Sequence, residues 1–372
     1  MAPIASGSVL SWLHIGDLHV TAAGLDNHRD LQRIVALANA LPPGSLDFAL
    51  LPGDNADDGT PEQFALVRDA VAPLALPLHI LPGDHDFKPR SLDAYYAVLG
   101  AEPLPAAHTI KGHRCLFLDV VSHGGGGPDF RLGAGQLAWV ERELEVARAA
   151  GHGAAVFMHT YPADLQEGAE RIGALLARPE VLCVDMGHTH YNELANDGGT
   201  VFMATRSTGQ VEEGPPGFSV AAIDDRTVSW RFKALDDAWP FVLVTQPADQ
   251  RLMADAGPRV DGAFTVRAQV LGDQLVTAVE VQVDDGPWQP MALSSDDKAL
   301  WQARCADPGD TVRVRARDAA GRTDTDAVQP ARSGWRSPPR KADGSDADRI
   351  GTWPERGLLG TQLGPNRKGK RW

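Results

Sequence analysis

Cysteine is scarce: Cys115, Cys183 and Cys305 are the only three in 372 residues. They are far apart and odd in number, which argues against a disulfide framework or a thiolate zinc site, and each reads as a small buried hydrophobe. Long apolar runs are missing too. No stretch reaches the roughly 20 residues that cross a bilayer, and Met1 to Ser8 has neither the basic region nor the apolar core of a secretion signal. A cytoplasmic location with no membrane partner is the resulting expectation. Basic charge is also short, 35 Lys and Arg facing 49 Asp and Glu for a net charge of -14. That balance argues against a general nucleic-acid or anionic-membrane binder, which carries a basic footprint. An acidic chain can still process phosphate esters where metal ions supply positive charge. Two catalytic signatures are absent. The Gly124 to Gly127 run lacks the helix and Lys-Ser/Thr that make a phosphate cradle, and no Gly-x-Ser-x-Gly nucleophile elbow occurs.

The length exceeds that of a usual single core, so two domains are expected. Up to about residue 235, apolar strand-like runs alternate with helical periodicity. Val9 to Ile15, Phe48 to Leu51, Leu76 to Leu81, Ala154 to Met158, Val181 to Met186, Val201 to Ala204, Phe218 to Ile223 and Thr227 to Lys233 read as strands. His108 to Lys111 and Arg114 to Val121 read as a hairpin. Leu31 to Leu41 and Gln136 to Ala150 read as helices, and Tyr95 to Leu99 as another, ended by Gly100. Thr60, Pro61 and Gln63 form a helix start with a capping box, running to about Ala72. Beyond about 250 the helical period gives way to alternation in Phe264 to Val270, Thr277 to Val283 and Thr311 to Arg317, as in a small antiparallel sandwich. From Arg332 onward, ten basic residues face four acidic ones, interspersed with Trp335, Ile350, Trp353, Leu358, Leu359 and Leu363. Such apolar anchors suit a tail that docks on its own acidic body or on a partner subunit. The expected division is 1–245, 246–331 and 332–372.

The strand ends carry the chemistry. In order they are Asp17 and His19; Asp54 and Asn55; Asp84, His85 and Asp86; His159; His188 and His190. Carboxylates and imidazoles without thiolates suit Mn, Fe, Co or Zn. Residues i and i+2 of an extended segment share a face, so Asp17 with His19, and His188 with His190, can aim together. A single Asp or His at a strand end is ordinarily a turn or cap residue. Repetition of the pattern at successive strands is what favours a site.

The series Gly16-Asp17-Leu18-His19, Gly53-Asp54-Asn55, Gly83-Asp84-His85-Asp86, Met158-His159 and Gly187-His188-Thr189-His190 resembles the calcineurin-like metallophosphoesterases. The surrounding text, including Asp57, Asp58 and Gly59 and the stretch Leu132 to Trp139, looks most like the bacterial branch of cyclic-nucleotide and glycerophosphodiester phosphodiesterases. The resemblance covers about residues 9 to 235. It implies an α/β fold, a two-sheet β-sandwich flanked by helices, here followed by a small all-β sandwich domain. It also implies two divalent or trivalent transition-metal ions and hydrolysis of phosphate esters, diesters before monoesters, by a metal-bridged hydroxide. Carried over by position, Asp17, His19 and His190 would hold one metal, Asp54 would bridge, and Asp84, His159 and His188 would hold the other. His85 would meet the phosphate, with Asp86 orienting it, and Asp57 would shape its loop. Asp84 departs from the family pattern, which has Asn there; the carboxylate adds a negative charge to the second site. The run Val279 to Trp288 separately looks like the immunoglobulin-like dimerisation domain of sulfite oxidases, which implies self-association through the C-terminal region. Three alternatives stand: a nuclease or a nucleotide phosphatase on the same fold, and a non-catalytic metal-binding scaffold. Arg206, Ser207 and Thr208 are read as shaping a loop, with a phosphate contact as the alternative.

Overall fold

A computed structural model of the chain describes residues 9–255, 257–294, 299–336 and 348–360. Strand β1 (Leu10–His14) leads into helix α1 (Asp26–Asn39), β2 (Phe48–Leu51), α2 (Pro61–Val71), β3 (Leu78–Ile80) and α3 (Asp93–Leu99). The hairpin β4 (Ala106–Ile110) and β5 (His113–Phe117) precedes α4 (Ala134–Ala150), β6 (Gly153–Phe157), α5 (Ala169–Leu176) and β7 (Val181–Met186). Then come β8 (Glu193–Asn196), β9 (Val201–Ala204), β10 (Gly217–Asp224) and β11 (Thr227–Ala234). These strands form a five-stranded sheet in the order β11-β10-β1-β2-β3 and a six-stranded sheet in the order β4-β5-β6-β7-β9-β8.

Within the first sheet β1, β2 and β3 run parallel, as do β5, β6, β7 and β9 in the second. Parallel strands put their carboxyl ends at one edge, and those ends carry the Asp and His motifs. The facing sheets meet through aromatic rings. Trp12 stacks on Phe48 at 5.8 Å and meets Phe157 edge-on at 5.5 Å, while Phe157 stacks on Phe117 at 4.7 Å. Removing one aromatic side chain from such a core costs about 3–5 kcal/mol. Polar ties cross the same interface, among them one at Asp185: Trp12 Nε1 donates to Asp185 Oδ2 at 2.6 Å, and His14 Nδ1 lies 2.7 Å from Asp185 Oδ1. Helices α1 and α2 cover the outer face of the first sheet, and α4 and α5 that of the second.

Three local features differ from the sequence reading. Helix α5 was not expected, because it is two turns long, contains Gly173 and starts from Gly168 without a side-chain cap. Strand β8 was not expected either; it is four residues long and begins and ends on polar residues. At α2, Thr60 does accept from the Gln63 amide, but the Gln63 side chain turns to Asp58 instead of closing the box.

After β11, β12 (Phe241–Gln246) pairs with β13 (Phe264–Leu271), and the chain continues through β14 (Val276–Val283), β15 (Gln289–Pro290), β16 (Ala292–Leu293), β17 (Leu300–Cys305), β18 (Val312–Asp318) and β19 (Thr323–Val328). Two four-stranded sheets result, β12-β13-β17-β16 and β15-β14-β18-β19, enclosing an apolar core that includes Val266, Val281 and Val314. Residues 348–360 return to the N-terminal domain. Ile350 donates to the Leu194 carbonyl and Asn196 to that of Asp348, each at 2.8 Å, so this segment covers the free edge of β8. No helix among the described residues is long and apolar enough to cross a membrane.

His79, on edge strand β3, stacks on Phe117 at 4.2 Å. Burial, then the neighbouring His108, holds its imidazole down at about 4. The unfolded chain takes up that proton below about 6.5, so this group removes stability as the pH falls from about 6.5 to about 4. The variant His79→Phe should therefore lose less melting temperature than the wild type between pH 7 and pH 4. Parallel pH profiles for the two proteins would contradict this.

Candidate metal centre

The turns after β1, β2, β3, β6 and β7 converge at one edge of the sandwich, and they do so in strained backbone. Among the described residues eight non-glycine positions have positive φ, and His19 (45°), Asp54 (50°), His188 (68°) and His190 (66°) are four of them. Left-handed backbone is unfavourable for side chains of this kind and gathers at functional sites. Glycines provide the close approach. A Cβ on Gly83 would overlap Asp54 Oδ1 and the Asp54 amide, and one on Gly53 would overlap His159 Nδ1.

Two buried groups of ligand-competent atoms result, with a half-buried third, His19, Asp57 and His85, beside them. Asp17, His19, Asp54 and His190 offer one set, and Asp54, Asp84, His159 and His188 the other; within each, the atoms lie within 4.8 Å of one another. Asp54 is common to both. His159 Nε2 stands 3.5 Å from Asp54 Oδ1 and 3.4 Å from Asp84 Oδ1, and His188 Nδ1 is 3.4 Å from that same Asp84 oxygen. His190 Nε2 is 3.5 Å from Asp17 Oδ2, His19 Nε2 is 3.6 Å from Asp54 Oδ2, and the two Nε2 atoms are 3.0 Å apart. With metal–ligand bonds of about 2.0–2.2 Å, neighbours on one ion stand roughly 3.0–3.5 Å apart, so the spacing fits a metal better than it fits direct hydrogen bonds.

The remaining contacts orient these groups. His159 Nδ1 donates to the Pro52 carbonyl at 2.9 Å, which leaves Nε2 as the ligand atom. The His188 amide donates to Asp17 Oδ2, and the His85 amide to Asp54 Oδ1. Asp17 Oδ1, Asp54 Oδ2 and Asp84 Oδ1 are buried and accept no hydrogen bond from the described residues. Charge is equally unbalanced. Burial drives the Asp17 carboxyl up despite the facing imidazoles, and burial holds His19 down, so its ring offers a lone pair. At Asp84, burial and Asp54 push the carboxyl up, but His159 and His188 outweigh them and hold it low. Burial pushes the His159 ring down, but the Asp54 and Asp84 carboxylates outweigh it and hold it well up. Buried carboxylates with open lone pairs, closed in by imidazoles, suit a pair of cations.

His85, partly exposed beside the groups, has its Nδ1 2.9 Å from the Asp57 carbonyl and 3.0 Å from Asp57 Oδ1. This corrects two expectations. Asp86 does not orient His85; its buried carboxylate accepts from the amides of Gly83, Asn55 and Ala56 and from Asn55 Nδ2, framing the turn. Asp57 is the residue that holds the imidazole, and it lies 3.3 Å from His19 Nδ1 as well. Gln210 escaped the sequence reading entirely. Its Nε2 is 3.2 Å from His19 Nδ1 and 3.1 Å from Asp57 Oδ1, a contact made by a loop that carries no motif. Arg206 turns away, buried against Phe232 and donating to the carbonyls of Glu213, Pro215 and Gly357, while Ser207 and Thr208 bond the Asp17 carbonyl. Loop shaping is their role.

The calcineurin-like phosphoesterase family model matches residues 10–192. Those residues belong to that family. The domain is a metal-dependent phosphoesterase, and its buried Asp and His groups fit a dinuclear centre. Among curated relatives, 3',5'-cyclic adenosine monophosphate phosphodiesterase CpdA of Escherichia coli K12 is 27% identical over 272 residues, covering 68% of this chain and 95% of that protein. A protein of Synechococcus sp. named a probable cyclic nucleotide phosphodiesterase is 28% identical over 54% of this chain and 80% of its own length. One of Arcobacter nitrofigilis, named a probable glycerophosphodiester phosphodiesterase GpdQ, is 27% identical over 48% of this chain and 71% of its own.

Because a side chain at residue 83 would displace Asp54, Gly83→Ala should lose most of its bound metal and its hydrolytic activity while keeping a wild-type far-UV circular dichroism spectrum. Full metal content in this variant would refute the close-approach argument.

Proposed function

We propose that the chain hydrolyses phosphodiesters at a centre in which Asp17, His19 and His190 hold one metal, Asp54 bridges, and Asp84, His159 and His188 hold the second. The observation that carries this is the pair of buried ligand groups sharing Asp54. When bound, two such ions clamp a phosphate and activate a water for in-line attack. The protein's own groups do the rest. Asp57 fixes His85 through Nδ1, which leaves Nε2 to meet a phosphate oxygen or to protonate the leaving alkoxide. Asp86 holds the turn that carries His85, through the amides of residues 55, 56 and 83.

Two considerations support a diester. The relatives above are named for cyclic-nucleotide and glycerophosphodiester substrates. Charge points the same way. Three carboxylates, neutral imidazoles, two divalent ions and the activated water as hydroxide sum to zero, so a monoanionic diester adds one negative charge to the site where a dianionic monoester adds two. Metal identity among Mn, Fe, Zn and Co stays open in this reading. The proposal includes a cytoplasmic location, supported by three separated, buried thiols, and an immunoglobulin-like sandwich, expected over 246–331 and beginning instead with β12 at Phe241, supported by its two four-stranded sheets.

Purified protein should contain two metal equivalents and turn over bis-nitrophenyl phosphate; one metal or none, with no turnover, would favour a scaffold. His85→Ala should lower kcat by about 10²–10⁴-fold with metal content unchanged. Asp84→Asn removes one charge from the second site, so its metal affinity should fall about tenfold, roughly 1.4 kcal/mol, without loss of kcat at saturating metal. Unchanged metal affinity and rate would sink any special role for Asp84.

A further inference from the structure

The segment 348–360 enters the same domain at its other flank, more than a hundred residues downstream in sequence. Its contacts are neither superficial nor solvated. Arg349 Nη2 lies 3.1 Å from Glu193 Oε1, with side-chain exposures of 3% and 0%. Glu193 stands opposite the hydroxyls of Tyr161 and Thr189, and Thr189 separates His188 from His190. Eight residues on from Arg349, the Gly357 carbonyl accepts from Asn192 Nδ2 at 2.9 Å and from Arg206 Nη2 at 2.8 Å. Asn192 Oδ1 accepts in turn from the Arg206 amide at 2.8 Å, joining the 188–193 turn to the 205–209 turn. That second turn ends on the metal groups: Ser207 N donates to the His190 carbonyl, and Ser207 Oγ and the amides of Thr208 and Gly209 donate to the Asp17 carbonyl.

We propose that residues 348–360 are a positioning element of the hydrolytic site: Arg349, through Glu193, and the Gly357 carbonyl, through Asn192 and Arg206, hold the turns that place His188, His190 and Asp17. The inference rests on the dinuclear reading above. Its physical basis is that these turns are held in left-handed backbone at His188 and His190. Strained backbone persists only where surrounding contacts over-determine it. The carboxylate of Glu193, fully buried, and the guanidinium of Arg206, 2% exposed, lack water to replace a lost partner. Removing the segment would therefore let both turns relax and spoil metal geometry, although no residue of the segment is itself a ligand.

The test uses full-length protein loaded with Co²⁺, comparing wild type, Arg349→Met, Arg349→Lys and the double variant Glu193→Gln with Arg349→Met. A wild type that fails to bind two ions overturns the dinuclear reading, and this inference with it, before any variant is considered. Given two ions in the wild type, Arg349→Met should weaken Co²⁺ affinity at least tenfold and alter the visible absorption of bound Co²⁺. The double variant, which replaces the unpaired buried carboxyl by a neutral amide, should recover most of that affinity, and Arg349→Lys should stay within about threefold of wild type. A purely structural clamp would instead lower the melting temperature and leave Co²⁺ affinity and spectrum unchanged in every variant; that result overturns the proposal. Should Arg349→Met not fold, the rate of Co²⁺ release from Arg349→Gln to a chelator decides: at least threefold faster than wild type supports the proposal, and any smaller change overturns it.

Discussion

Three carboxylates buried within one cluster set the conditions for the rest of this structure. Asp17 and Asp54 are each 1% exposed and Asp84 6%. Like charges brought this close out of water cannot all stay ionised without compensation, because desolvation alone costs several kcal/mol for each ion. The facing imidazoles compensate only in part, since every histidine that becomes a cation gives up the lone pair it would offer a metal. A pair of cations resolves both problems at once. Metal binding and the native geometry of this edge are thus one equilibrium, and the aromatic interface behind it supplies the rigidity that keeps the donors in place while that equilibrium is satisfied.

That rigidity is visible as strain. Four of the residues in the two groups sit at positive φ, a conformation their side chains do not favour, and Gly53 and Gly83 yield the space that allows it. The turns keep these conformations because their amides and carbonyls are tied across elements. Leu18 and His19 donate to the Asp54 carbonyl, Val20 to that of Asn55, and Gly187 to that of His159. Each motif is therefore fastened to another motif rather than to its own strand alone.

The same fact explains how much could be read from the sequence. The Asp and His positions were legible because each follows an apolar run, fully buried in β1, β2, β6 and β7 and partly buried in β3, and the run, the turn and the side chains are all local. Strands β1, β2 and β7 and helices α1 and α4 were legible for the same reason, having apolar periodicity over enough residues to be distinctive. The partner of His85 was not. Asp57 lies 28 positions away and reaches the imidazole only because the turn after β2 folds over the turn after β3, while Asp86, next to His85 in sequence, spends its oxygens on backbone amides. Gln210 shows the limit most plainly, since nothing in its neighbourhood differs from ordinary loop. Helix α5 and strand β8 were hidden by their brevity, and both depend on tertiary cover for their existence.

Charge in the C-terminal third takes on a different meaning once its partners are known. An excess of arginine in an acidic chain suggests a partner outside it, but two of these arginines are used inside. Arg349 faces Glu193, and Arg356, 1% exposed, donates to the Trp230 carbonyl while its other nitrogen lies 2.9 Å from Asp326. Asp326 in turn accepts from the Val244 amide. Arg231 meets Asp324 and Arg267 meets Asp224 across the same seam. The seam joins β11 of the phosphoesterase domain, the second sandwich and the returning segment through pairs that are largely out of water. A pair of this kind contributes less to net stability than its contacts suggest, because desolvation offsets attraction, but losing one partner leaves a buried charge and is strongly destabilising. Such seams therefore select a single arrangement of the parts they join. For this chain that arrangement includes residues 348–360, so the basic tail is better understood, over the part that is described, as the last element of the acidic body than as an arm extended toward something else.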